Sequence, residues 1–567
     1  MTAHALQFVW AHGVLVGLLA AGPQAPDVVI RLVDVAEQAG LTLLNICGGP
    51  SKDFIVEVNG NGAAFFDYDN DADMDVLIVN GSTLANMKHG GDQMVALFRN
   101  DGKGQFADVT AASGLRARGW GMGTCIADYD NDGFQDIYVT AFGPNVLVRN
   151  NGDGTFTDVT AGAGVGDTRW STNCAFADYD RDGDVDLYVA NYLAFSEVTI
   201  PRRGASANCR YLGIDVMCGP RDLVGEPDAL YRNNGDGTFT DVTRATGIVD
   251  PGHYGFGVIF SDLDGDSWPD IFVANDSVPN LLFRNNRDGT FSETGLASGL
   301  ALNGDGKPQA GMGADAADYD GDGRLDVFVT NFSQDYNTLY RNSAEGFFLD
   351  VSHETGVATP SIPYLGWGTG FADFDNDGLL DIFVANGHVY PDIDRFGLGT
   401  KYLQRKQLFR NLGKGRFRDA SEEVGAGLLI EKSSRGAAFG DIDNDGDIDV
   451  LVINMNDRPT LLRNDTRSAN NWIALKLVGR SHNRDAIGAR VWLEDEGSLQ
   501  VAEVRSGGSY LSHNDMRVRF GLGRRTKVPP LKVRWPDGAA EWFEGLTINR
   551  NLVIRQGQGR PTAADAQ

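Results

Sequence analysis

The sequence predicts an all-β protein, a seven-bladed β-propeller with calcium loops followed by a small β-sandwich. Three observations predict it. A nine-residue acidic pattern, Asp-x-Asp-x-Asp-(Gly)-x-x-Asp, recurs seven times. Each copy lies between short apolar runs such as FQDIYVTAF, VDLYVANY and LLDIFVAN, rich in the β-branched and aromatic residues that favour strands. A second element, of the type LYRNNGDGTFTDVT, follows six of the copies, with Asn-Gly or Asp-Gly hairpin signals in several of them.

The acidic pattern begins at Asp67, Asp128, Asp178, Asp262, Asp318, Asp373 and Asp441. The expected ligands are Asp67, Asp69, Asp71 and Asp75 in the first loop, Asp128, Asp130, Asp132 and Asp136 in the second, and Asp178, Asp180, Asp182 and Asp186 in the third. Asp262, Asp264, Asp266 and Asp270 follow, then Asp318, Asp320, Asp322 and Asp326, then Asp373, Asp375, Asp377 and Asp381, and last Asp441, Asp443, Asp445 and Asp449. Four carboxylates on one short turn repel each other unless a cation sits among them, and alternate oxygens suit calcium better than magnesium. Up to seven Ca2+ ions are therefore expected, each stapling a hairpin. An EF-hand is excluded, because position twelve is apolar in every copy (Ile78, Val139, Val189, Val273, Val329, Val384, Val452) where a bidentate Glu is needed. Gly fills the sixth place in five copies; Ala72 and Ser267 fill it in the others, which predicts weaker or differently shaped sites there.

Repetition at intervals of 50 to 84 residues signals blades. Each unit reads as inner strand, acidic loop, strand, hairpin strand, Gly-rich turn and outer strand, which is the blade of a propeller. The seventh copy is followed by LLRN but by no outer strand, whereas VIRLVDVAEQAGL stands alone before the first. A ring over residues 28–465 whose last blade is closed by residues 28–41 accounts for both and leaves no sheet edge exposed.

The formal net charge of −28 excludes a nucleic-acid binder and argues against docking on anionic lipid. Seven divalent ions would halve that excess. Residues 1–25 carry a short apolar run that reads as a secretory signal, and no segment is long enough to span a membrane. A secreted, periplasmic or cell-surface location is expected. Of the five cysteines, Cys209 and Cys218 fall in an insertion over residues 192–227, where a local disulfide is expected. Cys125 and Cys174 read as buried small hydrophobes, and Cys47 has no partner by any sequence argument.

Beyond residue 470 the acidic pattern stops and short strands alternate with turns to about residue 558, suggesting a β-sandwich. Basic residues cluster there (Arg484, Arg490, Arg505, Arg517, Arg524, Arg525, Lys527) and could face the acidic ring. Residues 559–567 read as a disordered tail.

The loops of the type F-A-D-Y-D-N-D-G and the F-G-D at residues 439–441 resemble the FG-GAP/VCBS repeats of integrin-like propellers. The run NRDAIGARV, GGSYLSHND, FGLG and VRWPDG resembles the ASPIC/UnbV domain, and the whole is similar to bacterial members of the cartilage acidic protein family. CGPRD in the cysteine insertion and NGHVYP at residues 386–391 share that likeness. The resemblance implies a secreted calcium-binding propeller engaged in binding or adhesion to an extracellular protein or glycan. An alternative is a lyase- or cyclase-type enzyme with its active site in the funnel. Its candidate acid–base groups are Glu57, Asp315, His388 and Tyr390. No Ser-His-Asp spacing, nucleophile elbow or phosphate loop is present in the sequence.

Overall fold

In the computed structural model the described residues are 29–562, apart from 345 and 496. The expected signal at 1–25 and the last five residues lie outside them. Seven four-stranded antiparallel sheets form the larger part. The first runs Ala63–Phe66, Asp75–Val79, Val95–Asn100 and Phe106–Asp108. The innermost strands of the next six are Gly121–Ala127, Ser171–Ala177, Gly255–Ser261, Ala314–Ala317, Gly366–Ala372 and Ser434–Gly440. Each inner strand contacts the next, and the seventh contacts the first. The ring is closed.

The seventh sheet takes its outer strand from the other end of the chain: Leu32–Asp34 pairs with Thr460–Asn464, with Leu32 opposite Asn464 and Asp34 opposite Leu462. The second strands, such as Asp136–Ala141 and Asp186–Asn191, are buried along their whole length. They read as nearly continuous apolar runs because both faces of a blade pack against neighbouring blades. The cores between blades are accordingly aliphatic and aromatic, for example Phe65, Val76, Ile78 and Phe98 against Ala438, Leu451 and Ile453.

The second module is a sandwich of a three-stranded and a five-stranded sheet. In the smaller sheet, Asn471–Val478 lies antiparallel to Val518–Gly523 and parallel to Asn551–Arg555. The larger is ordered Ser498–Glu503, Arg490–Asp495, Leu531–Arg534, Ala540–Phe543, Arg560–Pro561. The last strand corrects the expected disordered tail at its near end. Both Glu541 oxygens accept backbone N–H groups, from Gly557 and Gly559, and hold the chain against the sheet edge.

A second correction concerns Cys125 and Cys174, which are bonded to each other rather than being separate small hydrophobes. They lie on neighbouring inner strands with Cα atoms 5.7 Å apart, a separation a disulfide bridges without backbone movement. The bond ties blade two to blade three. Cys209 and Cys218 form the second disulfide, inside the insertion, and Cys47 is a buried free thiol. Among the described residues no helix is long and apolar enough to cross a membrane.

Candidate metal sites and the plugged channel

The seven acidic loops join the ends of the inner strands to the second strands, so all seven lie on one face of the ring. Their geometry is nearly identical. In every loop the sixth residue's N–H donates to Oδ2 of the first Asp, at distances from 2.7 Å (Gly378 to Asp373) to 3.2 Å (Ala72 to Asp67). That bond requires a left-handed turn, and φ is 96° at Gly133 and 94° at Gly378. Ala72 and Ser267 adopt the same turn, with φ of 74° and 83°. Their loops are therefore not differently shaped; the departure from Gly leaves backbone strain of about 1–2 kcal/mol each.

The ninth-position Asp does more than complete a cage. In all seven loops its Oδ1 accepts the N–H of an Asn in the third strand, at its last residue in all but one: Asn100, Asn150, Asn233, Asn285, Asn342, Asn411 and Asn464. Each of these Asn side chains then donates Nδ2–H to the carbonyl at position two of the preceding blade's loop, as Asn150 does to Tyr68 and Asn233 to Tyr129. The series closes on itself, since Asn100 reaches Ile442 of the seventh loop and Asn464 reaches Phe374 of the sixth. A circular latch of seven amides thus runs through the loop bases. Its signal was present in the sequence as the repeated Arg-Asn of LFRN, LVRN and LYRN, but only the fold shows what the Asn reaches.

The donor set fits a hard divalent cation. In each of five loops three carboxylates offer oxygens that lie within 4.8 Å of one another, such as Asp128, Asp130 and Asp136, or Asp318, Asp320 and Asp326. Every one of the seven loops holds at least one buried carboxylate oxygen with no hydrogen-bond partner: those of Asp67, Asp128, Asp178, Asp262, Asp320, Asp381 and Asp443 are examples. An uncompensated buried anion is costly. Burial first, and neighbouring carboxylates next, push Asp75 and Asp128 up to about 8 and Asp178 and Asp318 up to about 7. A bound cation would reverse that and release the protons.

The C-terminal sandwich covers this face. Lys476 pairs with Asp67 at 3.2 Å, Arg534 with Asp262 at 2.9 Å and Arg519 with Asp441 at 3.2 Å. Arg490, fully buried, bridges Glu503 at 2.7 Å and Asp262 at 3.5 Å. Of the basic residues expected to face the ring, Arg490, Arg505 and Arg517 do so, Arg484 lies over Gly133, and Arg525 pairs with Asp495 inside the sandwich.

Between two strands of the sandwich, residues 505–515 (RSGGSYLSHND) enter the central channel. Ser506 donates to the Ile126 carbonyl, Ser509 accepts from Ala314 and Thr369 N–H, and Leu511 accepts from Thr124 N–H. His513 exchanges backbone bonds with Ala63 and Phe65, and Asn514 and Asp515 bond Phe439. The inner edges of propeller blades are unpaired strand edges, and this segment satisfies their exposed N–H and C=O groups. A Cβ at Gly62 would collide with the Leu511 carbonyl, so glycine is needed for the approach. Tyr510 reaches furthest, packing on Phe256 and Trp367 and donating to the Asn59 carbonyl at 3.0 Å.

Of the four candidate acid–base groups only His388 and Tyr390 adjoin, with ring centroids 5.1 Å apart. Asp315 lies on the fifth inner strand and pairs with Arg505 of the inserted segment at 2.9 Å. Glu57 lies in a 3-10 turn at the opposite mouth, where its two oxygens accept the Gly49 and Phe54 N–H groups. His388 is buried: Nδ1 accepts from Tyr390 N–H and Nε2 faces Ser333 Oγ at 3.0 Å. Burial lowers its pKa to about 3, so it stays neutral and anchors the loop. Tyr390 lines a cavity at that mouth, whereas Asp315 lines a different one, between the blades and the sandwich.

A closed ring of four-stranded sheets, each carrying an acidic loop on the same face, defines a repeat propeller, and the chain belongs to the FG-GAP-like repeat family. That family's pattern matches residues 67–139, 128–189, 214–273, 262–329, 318–384 and 393–452, more than half of the chain. Residues 479–561 match the ASPIC and UnbV domain. Among its relatives are cartilage acidic protein 1 of Mus musculus, 29% identical over 331 residues (56% of this chain, 48% of the mouse protein), and that of Homo sapiens, 29% identical over 333 residues (56% and 46%). The chain spans about half the length of the curated relatives it matches. Similar solved structures include an Agrocybe aegerita lectin (TM-score 0.35, 19% identity, 63% of this chain and 79% of that one) and BBS1N in complex with ARL6DN (TM-score 0.39, 10% identity, 76% and 96%).

Proposed function

We propose that this chain is a secreted calcium-binding propeller that works in extracellular binding or adhesion, engaging a protein or glycan partner. The observation that carries the reading is the unpartnered buried carboxylate oxygen in each of the seven acidic loops. Calcium supplies the missing positive charge when bound. The chain's own part is to hold the donors: the sixth-position amide orients the first carboxylate, and the Asn latch fixes the ninth. Seven such sites brace the ring and dock the sandwich on one face, and a scaffold braced in this way presents its uncovered surface to a partner with little loss of entropy. Two disulfides suit an oxidising compartment. The alternative of a funnel enzyme gains less support, because the only adjoining pair, His388 and Tyr390, has its imidazole nitrogens engaged, and the channel is occupied by residues 505–515.

The test is binding of the labelled, purified chain to intact cells with calcium or with a chelator. Saturable binding that calcium supports and chelation abolishes is expected. Equal, non-saturable signal under both conditions contradicts the proposal.

A further inference from the structure

Two sequence features take no part in the metal face, CGPRD at residues 218–222 and NGHVYP at 386–391. They meet at the other mouth of the channel, around a cavity of about 420 Å³ that both line through Cys218, Arg221, Val389 and Tyr390. We infer that this cavity binds a neutral, polyhydroxylated ring, the terminal unit of a glycan. The inference rests on the binding role proposed above and names the ligand class.

The walls are aromatic. Tyr192 stacks on Phe256 with ring centroids 4.5 Å apart, and Trp367 lies beside them, backed by Tyr510 at the tip of the inserted segment. Tyr211 and Tyr390, 5.3 Å apart, form the facing wall. Such faces suit the C–H face of a sugar ring, and the volume falls within the range of roughly 300–1,000 Å³ typical of small-ligand sites.

The polar groups are planar and balanced. Asp276 is held between the Tyr192 hydroxyl at 2.7 Å and the Ser277 hydroxyl at 2.8 Å. Gln309 donates to Asp335 at 2.8 Å, and Arg210 is paired with Asp215 at 3.0 Å. Arg221 and Asp222 also line the cavity, and Arg221 is near enough to act electrostatically on Asp276. Both signs of charge line the cavity, two arginines and three aspartates, so a cation would meet arginine and an anion would meet carboxylates. A neutral ligand with many hydroxyls can donate and accept among these side chains without that cost. Asn59 on the floor keeps a buried side-chain Nδ2 with no partner.

The mouth is also preformed. The Cys209–Cys218 disulfide closes the insertion, Arg203 pins it to Asp392 at 2.6 Å, and Phe195 packs edge-on against Phe54. A pocket held open in advance binds without an ordering cost.

The experiment uses the full chain in calcium, with Trp fluorescence and saturation-transfer NMR as readouts. The probes are methyl glycosides of glucose, galactose, mannose and N-acetylglucosamine, with glucuronate and tetramethylammonium as charged comparators. At least one glycoside is expected to bind, about tenfold more weakly to Arg221→Ala and to Tyr390→Ala, with calcium uptake unchanged in both and melting temperature unchanged in Arg221→Ala. The inference is overturned if no glycoside binds, if binding survives undiminished in both variants, or if a charged comparator binds in their place. Calcium-supported cell binding without any glycoside response rejects the pocket assignment alone. Loss of that cell binding rejects the broader role.

Discussion

The two ends of the channel differ in kind. The loop face consists of seven near-copies, dense in carboxylate, and is covered by a separate module that meets it with lysine and arginine. The opposite mouth is aromatic and is built from pieces that occur once: the segment around Glu57, the disulfide insertion and the loop at His388. What repeats makes the scaffold and its carboxylate clusters; what occurs once makes the surface individual. The inserted segment joins the two, since its flanks bond the inner strands while Tyr510 supports the aromatic floor.

Stripping the protein of the metal proposed for the loops should sharpen the contrast most. In metal-stripped protein the carboxyl groups of Asp75, Asp128, Asp178 and Asp318 have raised pKa values, so the folded state holds protons that the unfolded chain has lost. Stability then falls as pH rises from about 4 to about 8. With several groups acting together, the melting temperature of stripped protein should rise by roughly 10 °C or more on acidification across that window, whereas calcium-loaded protein should lose stability as protons displace metal. A stripped protein whose melt falls on acidification would break the account of the loop face.

Arg490→Ala tests the docking. It leaves Glu503 buried without its cation, and the expected loss is about 3–5 kcal/mol in denaturant midpoint, with early proteolysis of the sandwich. Asn233→Ala tests the latch. It strips bonds to the Tyr129 and Val185 carbonyls and should cost about 1–3 kcal/mol, against within about 0.5 kcal/mol for Arg221→Ala at the mouth. Similar losses from both would erase the distinction drawn between the two ends. Ala72→Gly acts in the other direction: it relieves a left-handed alanine and should stabilise by about 1 kcal/mol; a loss would show that no strain was stored there.

Legibility in the sequence followed the same division. The sheets, the acidic loops and the sandwich were readable because spacing and strand propensity are local and were stated seven times over. The leftover VIRLVDV, set against a seventh repeat without its outer strand, pointed to the pairing of Leu32 with Asn464 across more than four hundred residues. The Asn latch was visible as a recurring letter without a visible partner, since Asn150 and Tyr68 come together only when blades pack. The Cys125–Cys174 bond was missed because burial and bonding look alike on an apolar strand. The GGSYLSHND segment was recognised as a motif, but nothing in its composition says that it enters the channel. Its role arises from strand edges contributed by the whole ring. His388, a plausible base by residue type, proved a buried anchor because its ring nitrogens are already engaged.

The role proposed for the loop face depends on cations entering the seven carboxylate clusters. Calorimetric titration of stripped protein with calcium near pH 7, repeated in two buffers of different ionisation heat, measures both ions bound and protons released. Uptake of several ions, up to seven, with proton release and a large rise in melting temperature is the predicted result. No heat and an unchanged melt at millimolar calcium would contradict it.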